Sequence, residues 1–134
     1  HWKDQSGETR KRAGEAAVYM CSANGVSEDG QLVNIDGSGN RVASTLYGHE
    51  RVYFVVGRNK IEPDMHRALY RAKNVAAPKN AVRLQLGTPC AANGGDKCYD
   101  CSSPQRICKG TVILERPCNG TRAEVVFVDE ELGY

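Results

Sequence analysis

Hydrophobic residues occur along the chain in short runs separated by polar turns, a pattern that predicts a succession of strands. Residues 17–22 form an apolar run typical of a buried strand, and residues 31–36 alternate like a half-buried one. The β-branched and aromatic run at 51–56 predicts a third strand, and further strands are predicted at 111–115 and 124–129. Because Asp29-Gly30 is a turn dipeptide, the first two strands are predicted to form a hairpin or near-hairpin.

Helices are predicted between these strands from apolar spacing and from glycine and proline signals. Residues 42–47 predict a short helix that Gly48 ends, and a second helix begins near Pro63. Pro78 is predicted to start a separate helix that ends near Leu86. Helices interleaved with strands favour an α/β fold, with a mostly parallel sheet and a mixed edge.

The composition fits one globular domain and excludes several classes of protein. The chain has 134 residues, of which 40% are hydrophobic and 25% charged. Its net charge of +2 is too small for a dedicated nucleic-acid binder. The apolar runs fall far short of the ~20 residues of a membrane helix, so no membrane association is expected. Since the sequence shows no apolar signal segment, we expect a cytoplasmic location.

Polar and charged residues dominate positions 1–16, which are predicted to be a solvated helix or arm, whereas 17–134 form the α/β domain. Because the first apolar run comes after this segment, we expect the domain to be incomplete at its N-terminus. A truncated sheet exposes an edge or a core face, and dimerisation is one way to cover it. We therefore expect a homo-oligomer.

Four of the six cysteines lie in one aperiodic, Cys-rich loop, residues 88–109. Cys90, Cys98, Cys101 and Cys108 have the spacing C-x7-C-x2-C-x6-C, which lets four thiolates converge on one metal ion. A long loop without secondary structure is uncommon unless a metal or disulfides organise it. The interpretation we favour is zinc, with an iron–sulfur cluster, a redox Cys-x-x-Cys pair, disulfides or free thiols as alternatives.

The other cysteines and two histidines are predicted to have no chemical role. Cys21 and Cys118 fall in or near strands and are expected to be ordinary buried thiols. His49 and His66 are isolated in the sequence and are expected to lie on the surface.

A glycine-rich turn at 36–41 connects a predicted strand to a predicted helix. Two glycines and a helix N-terminus can present backbone amides to a phosphate or carboxylate, and Arg41 can add a full positive charge. A second polar cluster, at 57–60, follows the strand 51–56, so the two clusters can share a pocket beside the carboxyl ends of the strands. The expected ligand-binding residues are Glu28, Asn34, Asp36, Gly39, Asn40, Arg41, Arg58, Asn59 and Lys60.

A simpler interpretation of the same residues involves no ligand. In that case the glycines only form a turn, Asn40 caps the helix, and Arg58 and Lys60 are solvated. The turn lacks the third small residue of the dinucleotide fingerprint and the Gly-Lys-Ser/Thr of the P-loop.

Several longer blocks resemble the LUD domain, the lactate-utilisation family. The central blocks are SANGVSEDG at 22–30, LVNID at 32–36, GNRVA at 39–43, VGRNKI at 56–61 and NVAAPKNA at 74–81. TPC at 88–90, CYDC at 98–101, RIC at 106–108 and ELGY at 131–134 resemble a cysteine-bearing branch of that family. The resemblance covers about residues 10–134.

The resemblance implies a three-layer α/β architecture similar to that of the NagB/RpiA/CoA-transferase-like proteins. It implies an accessory or anion-binding component of lactate or organic-acid oxidation, with a carboxylate, phosphate or CoA ester as ligand and redox proteins as partners. One alternative is an enzyme resembling CoA transferases or sugar-phosphate isomerases, with Glu28 or Asp36 as base or nucleophile. Another is a metal or iron–sulfur redox protein that acts through the Cys-rich loop.

Overall fold

The computed structural model describes residues 7–134. The strands are β1 Val18–Cys21, β2 Gly25–Ser27, β3 Leu32–Asp36, β4 Arg51–Gly57, β5 Ile61–Glu62, β6 Gly110–Leu114 and β7 Arg122–Val128. The helices are α1 Gly7–Gly14, α2 Asn40–Leu46, α3 Met65–Arg71, α4 Ala77–Arg83 and α5 Pro89–Ala92. Helix α1 falls within the predicted polar segment 1–16, of which residues 1–6 lie outside the described residues.

The strands form two sheets. One has the order β1-β4-β7 and is entirely parallel, with Val18 beside Arg51 and Arg51 beside Arg122. The other has the order β5-β2-β3-β6 and is mixed, because β2 pairs parallel with β5 while β3 pairs antiparallel with β2 and β6. The predicted α/β class and mostly parallel pairing are confirmed, with the mixed part forming a sheet of its own.

Two hydrophobic cores separate three layers. Between the sheets, Val26 and Leu32 pack in one cluster with Val52, Phe54 and Val56, and Phe54 is completely buried. Burial of each such side chain stabilises the fold by roughly 1.5–3 kcal/mol. The alternate residues of β3 pack on the other side of the mixed sheet, against the helical layer that begins with α3. The resulting order of sheet, mixed sheet and helices agrees with a three-layer α/β fold.

The predicted pairing of the first two strands is wrong, although its turn is present. β1 pairs with β4, and it is β2, in a stretch interpreted as a turn, that forms the hairpin with β3. Gly30 adopts a φ of +92° in this hairpin turn and its amide donates to the Ser27 carbonyl at 2.9 Å. A strand as short as Gly25–Ser27 has too few residues to show a period.

The two helices predicted around Pro78 are one continuous helical segment. A π-helical turn, Ala72–Ala76, joins α3 to α4 without a loop, and Pro78 lies in the first turn of α4. A π turn is wider than an α turn and changes the register of the backbone hydrogen bonds. Proline is tolerated in the first turn of a helix because the backbone N–H that it lacks would have no partner within the helix there. The proline therefore does not end the helical segment.

β1 is less buried than predicted, because its outer face is open. Val18 and Met20 are 50% and 67% exposed, whereas Tyr19 and Cys21 pack against the core between the sheets. β7 is an edge strand, and its Phe127 is 55% exposed. Within residues 7–134, no helix is long and apolar enough to cross a membrane.

Candidate functional site

A cavity of about 380 Å³ lies where β1 and β3 end, beside α4 and the C-terminal residues. Its size falls in the range of small-molecule sites. It is partly open to solvent, and both polar and apolar residues line it. The polar residues that line it include Ser22, Asn24, Asp36, Ser38, Arg41, Lys60, Asn80, Arg83 and Tyr134.

Arg41 lines the cavity but uses its guanidinium to hold the surrounding protein together. Nη1 donates to Asn34 Oδ1 at 2.6 Å and to the Ser22 carbonyl at 3.3 Å. Nη2 donates to the Ile35 carbonyl at 2.6 Å and to Asn24 Oδ1 at 3.1 Å. Both terminal nitrogens therefore have protein acceptors, so Arg41 contributes charge to the cavity and few free donors. Asn34, which the sequence analysis proposed as a ligand contact, is buried beneath this arginine.

Asp36 occupies the backbone amides that the sequence analysis assigned to an external anion. Its Oδ2 accepts from the Arg41 amide at 2.9 Å and the Val42 amide at 3.2 Å, and its Oδ1 accepts from Ser38 at 3.2 Å. Burial opposes ionisation of this carboxyl, but these amide bonds and the charge of Arg41 outweigh it and lower its pKa. The chain thus supplies its own anion to the start of α2.

Lys60 is a buried cation in the lining of the cavity. It follows β4 in a short 3₁₀ turn, Arg58–Lys60, and is only 5% exposed. Its Nζ donates to Ser22 Oγ at 3.0 Å and forms no ion pair with a carboxylate in residues 7–134. Burial, and then the neighbouring charges of Arg71 and Arg41, lower the pKa of this amine.

The rest of the second cluster holds the C-terminal segment, residues 130–134, beside the cavity. Asn59 Nδ2 donates to the Gly133 carbonyl at 3.1 Å, and Asn59 Oδ1 accepts from the Leu132 amide at 3.2 Å. Arg58 points away and pairs with Asp129 at 3.0 Å, where both side chains are largely exposed. Asn59 and Arg58 are not among the residues that line the cavity.

Three other predicted ligand residues lie at the edge of this site or away from it. Glu28 is exposed beside the β2–β3 turn and does not line the cavity. Asn40 is exposed at the start of α2, and Gly39, with a φ of +85°, provides the turn that precedes it. Asp36, Arg41 and Lys60 are therefore the predicted residues that the fold brings together around one space.

Several residues of the cavity were not predicted from the sequence. Ser22 and Asn24 end the first strand segment, and Arg83 with Asn80 comes from α4. Arg83 donates through Nε and Nη2 to Asn80 Oδ1 at 3.0 and 2.8 Å. A basic residue three positions after an asparagine on a helix is a weak signal, because an exposed helix face carries the same pattern.

Arg71 was also missed, and it lies behind Lys60 rather than in the cavity. It is 6% exposed and donates to the carbonyls of Asn59 and Asn24, both at 2.8 Å. Glu62 lies 3.8 Å from its Nε. Arg71 therefore fixes the backbone on both sides of Lys60 and adds positive charge to the site.

The four cysteines of the Cys-rich loop line a second, much smaller cavity of about 20 Å³ between the loop and α4. Cys98 Sγ accepts from the Asp100 amide, and Cys90 Sγ contacts Thr88 Oγ1, both at 3.3 Å. Arg106 braces the loop by donating to the carbonyls of Cys101 and Cys108. The loop is less irregular than predicted, since α5 occupies part of it.

These thiols do not form a coordination sphere as they stand. In the part of the chain that the structure describes, no group of three or more His, Cys, Asp or Glu side chains is arranged to hold a metal ion. All six cysteines are free thiols. Metal binding at this loop therefore requires the four side chains to turn toward one another.

Two of the residues that were predicted to have no chemical role differ in burial from the prediction. His49 is buried, not on the surface, because it stacks on Tyr19 with ring centroids 5.0 Å apart. Cys118 is exposed rather than buried. Cys21 is half-buried as a strand thiol, and burial raises its pKa to about 11.

The fold and the cavity define a layered α/β domain with a basic internal site. The chain belongs to the LUD domain family, whose family model matches residues 1–128. A search of curated proteins found no match, and neither did a search of solved structures.

Proposed function

We propose that this LUD-domain protein is an accessory component of lactate or organic-acid oxidation that binds a small anion in the 380 Å³ cavity. The observation that carries this proposal is Lys60, a buried amine that faces the cavity without a carboxylate partner. Buried charges in proteins are normally paired, so an unpaired cation in a cavity favours an anionic ligand. The ligand is a carboxylate, a phosphate or a CoA ester.

The charges around the cavity support the same conclusion. Lys60, Arg41 and Arg83 line it together with one acidic side chain, Asp36. That carboxylate accepts three backbone amides, and it forms no ion pair with Lys60. A bound anion therefore balances the site, and partial burial strengthens the attraction relative to bulk water.

A thermal-shift series tests the proposal. Lactate, pyruvate, inorganic phosphate and acetyl-CoA are added separately to the protein, and a ligand at 100 times its Kd stabilises the folded state by about 2.7 kcal/mol. Lys60→Met is expected to lose the shift, whereas Lys79→Met, which removes an exposed lysine from α4, keeps it. If none of these anions shifts the wild-type Tm, or if Lys60→Met keeps the full shift, the proposal is wrong.

An enzyme that uses a carboxylate base or nucleophile has less support from the geometry. Glu28 is outside the cavity, and Asp36 is held as an ionised cap by three amides. A carboxylate whose pKa is lowered is a weaker base.

We also propose that the Cys-rich loop binds zinc, or alternatively an iron–sulfur cluster, through Cys90, Cys98, Cys101 and Cys108. The support is that all four line one cavity and that Cys98 accepts an amide hydrogen bond on sulfur. Arg106 and Lys73 line the same cavity, and positive charge offsets that of a metal-bound set of thiolates. Bound metal would organise the loop, and an iron–sulfur cluster would in addition exchange electrons with redox partner proteins.

Anaerobic purification followed by zinc, iron and acid-labile sulfide analysis tests the metal proposal. We expect one equivalent of zinc, or iron with matching sulfide, and its loss in the double variant Cys98→Ser/Cys101→Ser. Cys118→Ser is the matched control, because this exposed thiol lies outside the loop. A colourless, metal-free protein with reactive thiols at all four loop positions would contradict both versions.

A further inference from the structure

The surroundings of Lys60 differ from those of a lysine that only provides charge. Its amine is enclosed by the end of β1 on one side and the C-terminal segment on the other: Ser22 Oγ is 3.0 Å away, and a Cβ placed on Gly133 would lie 3.5 Å from Nζ. The nearby charges of Arg71 and Arg41 are both positive, and they lower the pKa of the lysine together with burial. A lysine desolvated among cations has a larger neutral fraction and is the usual nucleophile toward carbonyl carbons.

We propose that Lys60 forms an imine with a small anionic carbonyl compound, such as a 2-oxo carboxylate or a phosphorylated aldehyde, held in the cavity. This inference rests on the proposed anion site and names the chemical class of its ligand. It assigns Lys60 a covalent role, whereas anion binding alone needs only its charge.

The arrangement supplies the groups that the step requires. The neutral amine of Lys60 attacks the carbonyl carbon, the carbonyl π electrons move to oxygen, and the resulting carbinolamine loses that oxygen as water to leave the C=N bond. No oxidant or reductant is consumed. Ser22 Oγ accepts the amine hydrogen bond and is placed to pass a proton between nitrogen and the departing oxygen.

The anionic group of the ligand has a second basic partner in the lining of the same cavity, the exposed Arg83 of α4. Arg83 also lines this space, and its Nε and Nη2 donate to Asn80 Oδ1. Among the described residues its Nη1 has no partner, so it is available to a carboxylate or phosphate. A compound with a carbonyl at one end and an anion at the other can therefore contact Lys60 and Arg83 together.

Reductive trapping tests the imine directly. The protein is incubated with pyruvate or with glyceraldehyde 3-phosphate in the presence of sodium cyanoborohydride, and intact mass and peptide mapping follow. We expect a single adduct on Lys60, with a mass increase equal to the carbonyl compound less one oxygen atom. The arm that gives the greater yield distinguishes a carboxylate from a phosphate ligand.

Variants separate site chemistry from general lysine reactivity. Lys60→Arg keeps the charge without a nucleophilic amine and is expected to lose the adduct, whereas Lys79→Arg retains it. Ser22→Ala is expected to slow trapping on Lys60, because it removes the hydroxyl that is placed to transfer the proton. Peptide mapping of the wild-type protein locates the adduct even if Lys60→Arg fails to fold.

The outcomes distinguish this inference from the proposed function. An anion that stabilises the protein without any adduct on Lys60 overturns the imine and leaves anion binding standing. Adducts spread over exposed lysines such as Lys79, at yields equal to that on Lys60, also overturn it. Absence of both stabilisation and adduct overturns the two proposals together.

Discussion

At the scale of single residues, the two conspicuous cations of the site have different physical roles. Arg41 donates from both terminal nitrogens to protein acceptors and joins β3 to the end of β1 and the start of β2. Lys60 has one hydroxyl partner and an open side toward the cavity. Residue type alone does not separate these roles, because both are basic residues next to a polar turn.

Arg41→Ala is predicted to destabilise the protein strongly. The change removes four donated hydrogen bonds and leaves buried acceptors such as Asn34 Oδ1 unsatisfied, so we expect a loss of about 3 kcal/mol in the free energy of unfolding. Urea denaturation measures it. Arg58→Ala, which removes an exposed ion pair with Asp129, is the control and should cost less than about 1 kcal/mol. Equal losses would show that Arg41 does not hold the strands together.

At the scale of elements, the start of α2 and the contact of β2 with α3 determine how the site is built. Asp36 at the end of β3 caps α2 across the glycine turn, which fixes the angle between strand and helix. Gly25 lets α3 approach the sheet, since a Cβ there would lie 2.5 Å from the Ala68 carbonyl oxygen. Both features position the ends of the strands where the cavity opens.

Asp36→Asn is predicted to reduce stability at neutral pH by about 1 kcal/mol, the usual magnitude for a helix cap. The pKa of Asp36 is lowered from its ordinary value of 3.8, so the unfolded chain binds the proton more readily than the folded one. The stabilisation is therefore fully present above pH 3.8 and is lost as pH falls through the folded-state value. Chemical denaturation between pH 7 and pH 3 should show the two proteins converging. A difference that stays constant with pH would contradict this role.

Gly25→Ala is predicted to destabilise the fold by about 3 kcal/mol, because the added methyl group meets the rigid backbone of α3. Thermal unfolding monitored by circular dichroism measures the change. Gly7→Ala, where a Cβ meets nothing within 4 Å, is the matched control and should leave Tm unchanged or slightly higher. A Gly25→Ala protein as stable as wild type would mean that β2 and α3 can separate without cost.

At the scale of the whole molecule, the parallel sheet has an open face and an open edge. Met20 and Val18 are exposed on its outer face, and the edge strand β7 exposes Val126 and Phe127. Unpaired edges with apolar side chains favour pairing with another chain. The homo-oligomer expected from the sequence remains a prediction, and β7 is the element through which we expect it to form.

Self-association through β7 is testable by light scattering coupled to size-exclusion chromatography. We expect the wild-type protein to run as a dimer or larger assembly and Phe127→Lys to shift it toward the monomer, because the added charge disfavours edge-to-edge pairing. Tyr70→Lys is the control, because it changes a similarly exposed aromatic residue on α3, in the helical layer on the other side of the mixed sheet from β7. It should leave the mass of the assembly unchanged. A monomeric wild-type protein would refute the prediction.

The local features of this protein follow from its amino-acid sequence alone. Patterns of residues that are close in the sequence predict four of the strands, the turn at Gly30, helix α2 and the clustering of four cysteines. These strands are β3, β4, β6 and β7. Such patterns report backbone preference and the alternation of buried and exposed positions, which act over a few residues. The blocks that resemble the LUD domain carried the family assignment in the same way.

Which of the polar residues face a common space depends on long-range contacts in the fold. Lys60 meets Ser22 across 38 residues of sequence, and Asn59 meets Gly133 across 74. Asp36, an expected ligand contact, instead accepts backbone amides at the start of α2, and Arg58 lies on the surface beside Asp129. The sequence specifies which side chains are charged or can form hydrogen bonds. Whether such a side chain binds another part of the protein or a ligand depends on which groups the fold places beside it.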